Sequence, residues 1–316
     1  MTKILITGIT GSGASYLAEH LLDEGLEVHG ISRWHSTTTM QNIEKIQHRI
    51  YLHECDLTDF SATFTTIKKI KPDYIFHLAA HANVKVCFTN PISVLNNNVN
   101  NTINLFEAIK LLDIDPIVQF CGTSEVYGLV KPENTPIKEN AQLNPVNIYA
   151  VSKLAQEKIA LSYFYCYGIK SILTRMFAYI NPRRGDIFST AFAKQIAQIE
   201  QGKQQVLRHG NLDSVRTLID VRDAMRSYWT ASQKCYPGEV YNIGGQDTMT
   251  VGNFLQTLIS KARVPINCKS DDNLLRPADV TLQIPDTTKF VTQTNWKPQY
   301  TLEDSIEFLL EYCRNV

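Results

Sequence analysis

Apolar positions in the first half of this chain alternate between short strand-like runs and longer runs with helical spacing. The first pair is a strand from Lys3 to Thr7 followed by a helix around residues 16–22. Further strands are predicted at 27–32, 50–54, 73–78, 116–121 and 171–174. Helices are predicted near 62–70, 94–112 and 148–167. This alternation predicts a Rossmann-type α/β fold, in which helical crossovers join a doubly wound parallel sheet.

The pattern becomes less regular after residue 180, where the predicted segments are shorter. We therefore predict a first domain at 1–180 and a smaller C-terminal α/β lobe at 181–316 that binds substrate. Helical spacing at 220–231 indicates that part of 210–245 returns to the first domain.

A glycine-rich turn separates the first strand from the first helix. Gly8 and Gly11 allow a tight turn and a close approach to a pyrophosphate, which the positive end of the helix favours. Ala14 takes the third position of this fingerprint and is small enough for the helix to pack on the strand. The turn therefore predicts a dinucleotide site. The residues predicted to line it are Gly8, Thr10, Gly11, Ser12 and Gly13.

The second strand ends at Arg33, where an acidic residue would receive the ribose 2′-hydroxyl of NAD. An arginine accommodates the 2′-phosphate of NADP instead. We therefore predict NADP as cofactor, with NAD still possible. The alternative interpretation is that Arg33 is only a surface residue.

Two short segments further along the chain carry four side chains that suit proton transfer. Thr123 and Glu125 come directly after a predicted strand, at the end of the sheet where ligands bind in open α/β folds. Tyr149 and Lys153 are four residues apart and share one face of a helix. The ammonium is expected to lower the pKa of the phenol so that it acts as a base near neutral pH. Such a tyrosine–lysine pair alone also arises by chance, but the four groups together suit oxidation of a sugar alcohol followed by loss of water.

Composition narrows the class of protein. Lys plus Arg number 31 and Asp plus Glu also number 31, with no basic run, so a nucleic-acid partner is not expected. The seven cysteines show no Cys-x-x-Cys spacing, so we predict reduced thiols and no metal site. No apolar stretch reaches about 18 residues and the chain starts with a strand, so we predict no membrane segment and a cytoplasmic location.

The chain as a whole resembles the extended short-chain dehydrogenase/reductases that act on nucleotide sugars. Within them it resembles GDP-mannose 4,6-dehydratases in Ile6-Thr7-Gly8-Ile9-Thr10-Gly11, Thr123-Ser124-Glu125 and Pro182-Arg183-Arg184-Gly185. The segments Gly210-Asn211-Leu212 and Val221-Arg222-Asp223 are closer to GDP-4-keto-6-deoxymannose reductases. The resemblance implies an NADP-binding first domain and a lobe that binds a nucleotide-diphosphate sugar. It also implies a homodimer or homotetramer formed through the two long helices near 94–112 and 148–167.

The resemblance also implies roles for the four groups. Tyr149, assisted by Lys153, removes the proton of the sugar's 4-hydroxyl, and Thr123 hydrogen-bonds that oxygen. Glu125 takes the proton from carbon 5 and delivers a proton to the departing 6-hydroxyl. The predicted activity is a lyase, a nucleotide-sugar 4,6-dehydratase. The alternatives are a 4-keto-6-deoxy nucleotide-sugar reductase, a C4 epimerase and, with less support, a non-catalytic NADP-binding protein.

Further site residues follow from the same resemblance. Asp56 is expected to accept a hydrogen bond from the adenine amino group, although it is about as compatible with capping the helix that begins near Thr58. The other residues expected at the cofactor are Leu57, Leu78, Ala79 and Ala80. Those expected at the substrate are Lys85, Glu125, Asn181, Arg184, Lys194, Arg216 and Arg276. Arg216 and Arg276 are the main candidates for the diphosphate, because a guanidinium binds phosphate oxygens in pairs.

Overall fold

A computed structural model describes residues 2–34, 40–275 and 280–316 of the chain. Seven strands of this described part form one parallel sheet, as predicted. Their order across the sheet is β10, β6, β5, β4, β1, β2, β3. The bounds are β1 Lys3–Thr7, β2 Glu27–Ser32, β3 Tyr51–Glu54, β4 Tyr74–His77, β5 Ile117–Thr123, β6 Ser171–Met176 and β10 Val240–Ile243. The chain order reverses between β1 and β4, which places a crevice at their carboxyl ends.

Helices cover both faces of this sheet. On one face, α1 packs against α7, and their apolar residues share a core with β1 and β10. On the other face, α2, α4 and α5 pack together over β4 and β5. The bounds are α1 Ser12–Asp23, α2 Phe60–Ile70, α3 Val84–Thr89, α4 Pro91–Leu111, α5 Ile148–Tyr167 and α7 Val221–Lys234. Burial on both faces explains the apolar runs of the central strands β1 and β4, whereas the edge strand β3 is mostly exposed.

The helix predicted near 94–112 begins earlier than expected. Pro91 occupies its first turn, where the missing N–H of proline has no cost, and the short helix α3 precedes it. The helix predicted at 220–231 is present as α7, and the strand β10 that follows it pairs with β6. This segment therefore contributes a helix and an edge strand to the main sheet. How the whole chain divides into domains remains a prediction.

The remaining described elements form a smaller α/β assembly. Strand β9 pairs with β7, β11 and β13, while β8 pairs with β12. Helices α6, α8 and α10 enclose a separate apolar core against these strands. The bounds are β7 Tyr179–Ile180, α6 Phe188–Glu200, β8 Val206–His209, β9 Val215–Asp220, β11 Asp247–Thr250, α8 Val251–Ser260, β12 Asn267–Ser270, β13 Leu282–Gln283, α9 Thr288–Thr294 and α10 Leu302–Arg314.

Two further observations concern the predictions about membrane segments and about the cysteines. No helix among the described residues is long and apolar enough to cross a membrane. All seven cysteines are free thiols.

Candidate active site

A groove of about 120 Å³ opens at the carboxyl ends of β1, β2 and β4. Most residues predicted to contact the cofactor line it, namely Gly8, Thr10, Gly11, Arg33, Asp56, Leu57, Leu78, Ala79 and Ala80. Ser12 and Gly13 do not line it. Gly13 instead faces Met225 of α7 and Tyr179, where an added Cβ would lie 3.5 Å from the methionine sulfur. Gly13 therefore lies in the contact between α1 and α7 and not at the groove.

The floor of the groove depends on two glycines. Gly8 has a φ of 69°, and a Cβ built on it would lie 3.0 Å from the Cα of Ala79. Gly11 is the N-cap of α1, and a Cβ there would lie 3.0 Å from the carbonyl oxygen of Gly8. The Thr7 hydroxyl accepts hydrogen bonds from the backbone N–H of Leu78 at 3.1 Å and of Ala79 at 3.0 Å. The glycine turn and the end of β4 therefore touch closely beside the N-terminus of α1, where an anion is favoured.

Arg33 lies across the groove and not out in solvent. Its Nη1 donates to Oδ1 of Asn97 at 2.9 Å, and its Nη2 donates to Nε2 of His81 at 3.2 Å. Asn97 and Asn101 of α4 also line the groove. Sequence analysis did not select them or His81, although a run of asparagines inside a helix was a signal, because asparagine is a poor helix former.

Asp56 lies at the groove but does not cap a helix. Its carboxylate accepts from the backbone N–H of Thr58 at 2.9 Å and from the Thr58 hydroxyl at 2.8 Å, so it closes a turn. The N-cap of α2 is Asp59, which accepts from the N–H of Ala62 at 3.0 Å. The interpretation of Asp56 as the helix cap is therefore wrong, and Asp56 also lines the groove.

The predicted catalytic side chains meet beside this groove. Thr123 ends β5, and its hydroxyl lies close enough to the phenol of Tyr149 to lower the pKa of that phenol. Tyr149 is in the first turn of α5 and is 8% exposed. Lys153 follows one turn later, is 4% exposed, and places Nζ 4.5 Å from the ring centroid of Phe120. Asparagine at the N-cap starts α5 at this point: Oδ1 of Asn147 accepts from the N–H of Ala150 at 2.8 Å.

The sequence analysis predicted a lowered pKa for the Tyr149 phenol, and for the protein alone this prediction is wrong. Burial raises the pKa of Tyr149 above its usual value, and the nearby charge that opposes this most is the guanidinium of Arg184. Burial also lowers the pKa of Lys153 to about 8, because the ammonium is removed from water. The removal of the phenol from water thus outweighs the attraction between phenolate and ammonium that the sequence suggested. Among the charges that act on this phenol, Arg184 opposes the effect of burial most.

Glu125 lies in a 3-10 turn, Ser124–Tyr127, directly after β5. The Thr123 hydroxyl accepts from the backbone N–H of Glu125 at 3.3 Å, which fixes the start of this turn. One carboxylate oxygen accepts from Nδ2 of Asn147 at 3.2 Å, and the other accepts from Nε2 of Gln283 at 3.4 Å. The carboxylate is thereby tied to the helix that carries Tyr149. Asn147 and Gln283 were not selected from the sequence.

The candidate substrate residues are more dispersed. Arg184 donates from Nη2 to the carbonyl of Ala82 at 2.9 Å and from Nε to Asp186 at 3.0 Å, near Tyr149. Asn181 is fully buried; its Oδ1 accepts from the N–H of Arg183 at 3.0 Å, and its Nδ2 has no protein partner within the described chain.

The other candidates lie on three separate elements. Lys85 is exposed on α3 and Lys194 is exposed on α6. Arg216 lies on β9, opposite Gln283 of β13, and donates from Nη1 to the carbonyl of Val215 at 2.9 Å. Arg276 falls outside the described residues. Within the described ranges, no three His, Cys, Asp or Glu side chains group closely enough to hold a metal ion.

Comparison with known proteins decides the family. A family model described as GDP-mannose 4,6 dehydratase matches residues 5–309. The chain belongs to the GDP-mannose 4,6-dehydratase family. This is a family of lyases within the extended short-chain dehydrogenase/reductases, as the sequence analysis predicted. A GDP-mannose 4,6-dehydratase of Vibrio cholerae is 31% identical, over 96% of this chain and 91% of that protein.

Solved structures share the dehydratase family's fold. RMD from Pseudomonas aeruginosa, in complex with NADPH, is 24% identical with a TM-score of 0.85, covering 100% of this chain and 99% of that one. A dTDP-glucose 4,6-dehydratase from Bacillus anthracis, in complex with NAD, is 22% identical with a TM-score of 0.86, covering 100% of this chain and 97% of that one. At this level of identity the likeness establishes the fold.

Proposed function

We propose that this member of the dehydratase family is an NADP-dependent GDP-mannose 4,6-dehydratase that forms a 4-keto-6-deoxy sugar nucleotide. The observation that carries the proposal is the position of Glu125. Asn147 joins its carboxylate to the first turn of α5, two residues before Tyr149. Oxidation at carbon 4 needs only the phenol and the hydroxyl, whereas loss of the 6-hydroxyl also needs a group that removes the proton at carbon 5.

The groove fits a nicotinamide dinucleotide. Gly8 and Gly11 leave room that a Cβ would fill, and the N-terminus of α1 faces that room with a residue that has no side chain. The residues that would hold the cofactor are the groove-lining set together with Tyr149 and Lys153. When bound, the cofactor supplies a store for the hydride that leaves carbon 4 and reappears on carbon 6.

The chain's own groups move the protons. Tyr149 accepts the proton of the 4-hydroxyl, and the Thr123 hydroxyl hydrogen-bonds that oxygen as its carbonyl forms. The new carbonyl acidifies carbon 5, so Glu125 removes the proton there and passes it to the 6-oxygen, which leaves as water. The proton that Tyr149 took from the 4-hydroxyl is then delivered to carbon 5, which returns the phenol to its starting state. One water is lost in total, and the cofactor ends in the oxidation state in which it began.

NADP is proposed over NAD because of Arg33. Its guanidinium is held at the groove by Asn97 and His81, beside the end of β2 where the 2′-substituent of the adenosine ribose lies in Rossmann folds. The related structures include one with NADPH and one with NAD, so the preference rests on this arginine.

The substrate's diphosphate is assigned to the arginines of the C-terminal half. Arg216 on β9 is the main described candidate, with Arg276 as the second and Lys194 as a weaker one. Arg184 and Asn181 are assigned to the sugar, because Arg184 adjoins Tyr149 and Asn181 has a buried amide donor without a protein partner among the described residues. Lys85 completes the proposed set. This assignment makes 181–316 the nucleotide-sugar lobe and 1–180, with part of 210–245, the cofactor domain.

A homodimer or homotetramer is proposed through helices α4 and α5. They pack side by side and expose large apolar side chains, among them Ile92 at 74%, Leu111 at 58% and Tyr165 at 73%. We take these exposed apolar side chains on two packed helices as support for contact with a second copy of the chain. Light scattering of the purified protein at several concentrations measures the assembly.

The experiment that tests the activity uses the purified protein with GDP-, UDP-, CDP- and dTDP-hexoses and no added reduced cofactor. Loss of one water from GDP-mannose, detected by mass spectrometry without net consumption of NADP, is expected. The Glu125→Gln variant is expected to lose this activity. Absence of water loss, with oxidation of NADPH when a 4-keto-6-deoxy nucleotide sugar is supplied, would identify a reductase instead.

A further inference from the structure

Two amide side chains from distant parts of the chain hold the carboxylate of Glu125. Nδ2 of Asn147 donates to one oxygen at 3.2 Å, and Nε2 of Gln283 donates to the other at 3.4 Å. Gln283 lies 158 residues after Glu125 and is 4% exposed. Each carboxylate oxygen therefore has one amide donor, and each retains a second lone pair for another partner.

The orientation of the Asn147 amide is fixed by its second bond. Its Oδ1 accepts from the N–H of Ala150 at 2.8 Å as the N-cap of α5. With the oxygen used by the helix, the nitrogen is the atom that faces Glu125. Because the same helix turn carries Tyr149, Asn147 sets the position of Glu125 relative to the phenol.

The position of Gln283 is fixed by its backbone. Strand β13 pairs in parallel with β9, which brings Gln283 opposite Arg216. On the other side, the N–H of Ile137 donates to the carbonyl of Ile284 at 2.7 Å, and the N–H of Asp286 donates to the carbonyl of Ile137 at 2.8 Å. The segment is thus held between two neighbours, and its glutamine reaches Glu125 from the strand pair that carries the proposed diphosphate residue.

We propose that Asn147 and Gln283 are positioning residues that hold the Glu125 carboxylate for the elimination step. This inference rests on the proposed dehydratase function. A free glutamate rotates about its terminal torsion, which is broad, so its oxygens need external donors to be fixed. With one donor on each oxygen, the carboxylate keeps a free lone pair on each oxygen. Such a lone pair can take the proton from carbon 5, which the carboxylate then passes to the 6-oxygen. Oxidation at carbon 4 does not use these amides.

The test compares Gln283→Met with the wild-type protein, because methionine has a similar length and no N–H donor. The kcat for water loss is expected to fall by about ten- to a hundredfold, since small misplacements of a catalytic group have effects of this size. The KM is expected to stay within about twofold, because the amide does not bind the ground-state substrate. The kinetic isotope effect of substrate deuterated at carbon 5 is expected to increase, while that of substrate deuterated at carbon 4 does not.

Asn147 supplies a second, independent variant. Asn147→Ser keeps a hydroxyl that caps α5 but has a shorter side chain without the amide donor. It is expected to keep the melting temperature of the wild type and to show the same isotope signature as Gln283→Met. Asn147→Ala removes the cap as well and serves as the control for loss of helix stability.

The outcomes separate the two proposals. If the wild-type protein loses water from GDP-mannose but Gln283→Met and Asn147→Ser keep its kcat and its carbon-5 isotope effect, the positioning role is overturned. If the wild-type protein removes no water from any nucleotide sugar, the dehydratase function itself is wrong and the positioning role fails with it.

Discussion

The guanidinium of Arg184 adjoins the phenol of Tyr149 and is the nearby charge that lowers its pKa most, against the effect of burial. Arg184 is held in that place by the carbonyl of Ala82 at 2.9 Å and by Asp186 at 3.0 Å. The tyrosine and the arginine therefore form a pair in which a fixed positive charge favours the phenolate.

Replacing Arg184 with methionine is expected to move the acidic limb of the kcat/KM profile to higher pH. The phenol must lose its proton to act as a base, and removal of the cation leaves burial less opposed. A shift of about one pH unit or more is expected, with a smaller shift for Arg184→Lys because that variant keeps the charge. The measurement is kcat/KM across pH for the three proteins. An identical acidic limb in all three would show that Arg184 does not act on the tyrosine.

Much of the fold was readable from the sequence because its strands are buried on both faces. The predicted bounds of β1, β2 and α5 agree with Lys3–Thr7, Glu27–Ser32 and Ile148–Tyr167 in the structure. The local signal of β1 is its apolar run Ile4-Leu5-Ile6, and that of α5 is an asparagine cap with a C-terminal glycine. Where the signal was weaker, as at Pro91, the predicted helix began too late.

Residues of the candidate site could be selected from the sequence only where they follow a strand or share a helix turn. Thr123 and Glu125 satisfy the first condition, while Tyr149 and Lys153 satisfy the second. Gln283 satisfies neither, because it reaches Glu125 through the pairing of β13 with β9, which has no local signature. The raised pKa of Tyr149 was also beyond the sequence, since burial depends on the packed structure.

The glycine at position 8 is expected to be required for cofactor binding. Alanine at this position has to adopt a φ of 69° and brings its Cβ within 3.0 Å of the Ala79 Cα. Gly25 is a matched control, with a φ of 75° and no atom within 4 Å of an added Cβ. Both alanine variants should lose about 1 kcal/mol of unfolding free energy through backbone strain. Only Gly8→Ala should also raise the Kd for NADPH, by about tenfold or more, since a 1.4 kcal/mol loss has that effect.

Titration of NADPH fluorescence measures the Kd, and urea unfolding measures the stability of each variant. Equal affinity in Gly8→Ala and Gly25→Ala would show that the contact between Gly8 and Ala79 does not shape the cofactor groove.

A buried ion pair supports the turn that carries Glu125. Arg175 donates to Glu157 at 2.9 and 2.7 Å, with side chains only 3% and 1% exposed. It also donates to the hydroxyl of Tyr127 at 2.8 Å, and Tyr127 lies in the same 3-10 turn as Glu125. The arginine therefore connects the core of the sheet to the turn that carries Glu125.

The Arg175→Met variant is expected to lose about 3–5 kcal/mol of unfolding free energy, because the buried Glu157 carboxylate loses both hydrogen bonds from the guanidinium and keeps only the more distant Lys158 ammonium, at 3.9 Å. The double variant Arg175→Met/Glu157→Leu is expected to recover most of that loss, since no unpaired charge remains. Urea unfolding monitored by circular dichroism compares the three proteins. If the double variant is as unstable as the single one, the loss of unfolding free energy comes from packing and not from the charge of the Glu157 carboxylate.

The final prediction concerns His77, whose ring bridges two core hydroxyls behind the groove. Its Nδ1 and Nε2 each lie 3.0 Å from a threonine hydroxyl, of Thr7 and Thr102 respectively. Burial lowers its pKa to about 3, with the Lys153 ammonium adding to the effect. The unfolded chain has a histidine pKa of about 6.5, so between pH 6.5 and 3 the unfolded state binds a proton that the folded state does not. The free energy of unfolding should therefore fall by about 1.4 kcal/mol per pH unit over that range and be unaffected by His77 above it.

The His77→Gln variant removes this titration while keeping an amide that can hydrogen-bond the threonines. Its unfolding free energy, measured in urea at several pH values, should decline less steeply below pH 6.5 than that of the wild type. His48→Gln changes an exposed histidine and is expected to leave the wild-type slope unchanged. If His77→Gln keeps the wild-type slope as well, His77 takes up its proton in the folded state, and the acid sensitivity of the protein has to arise from other groups.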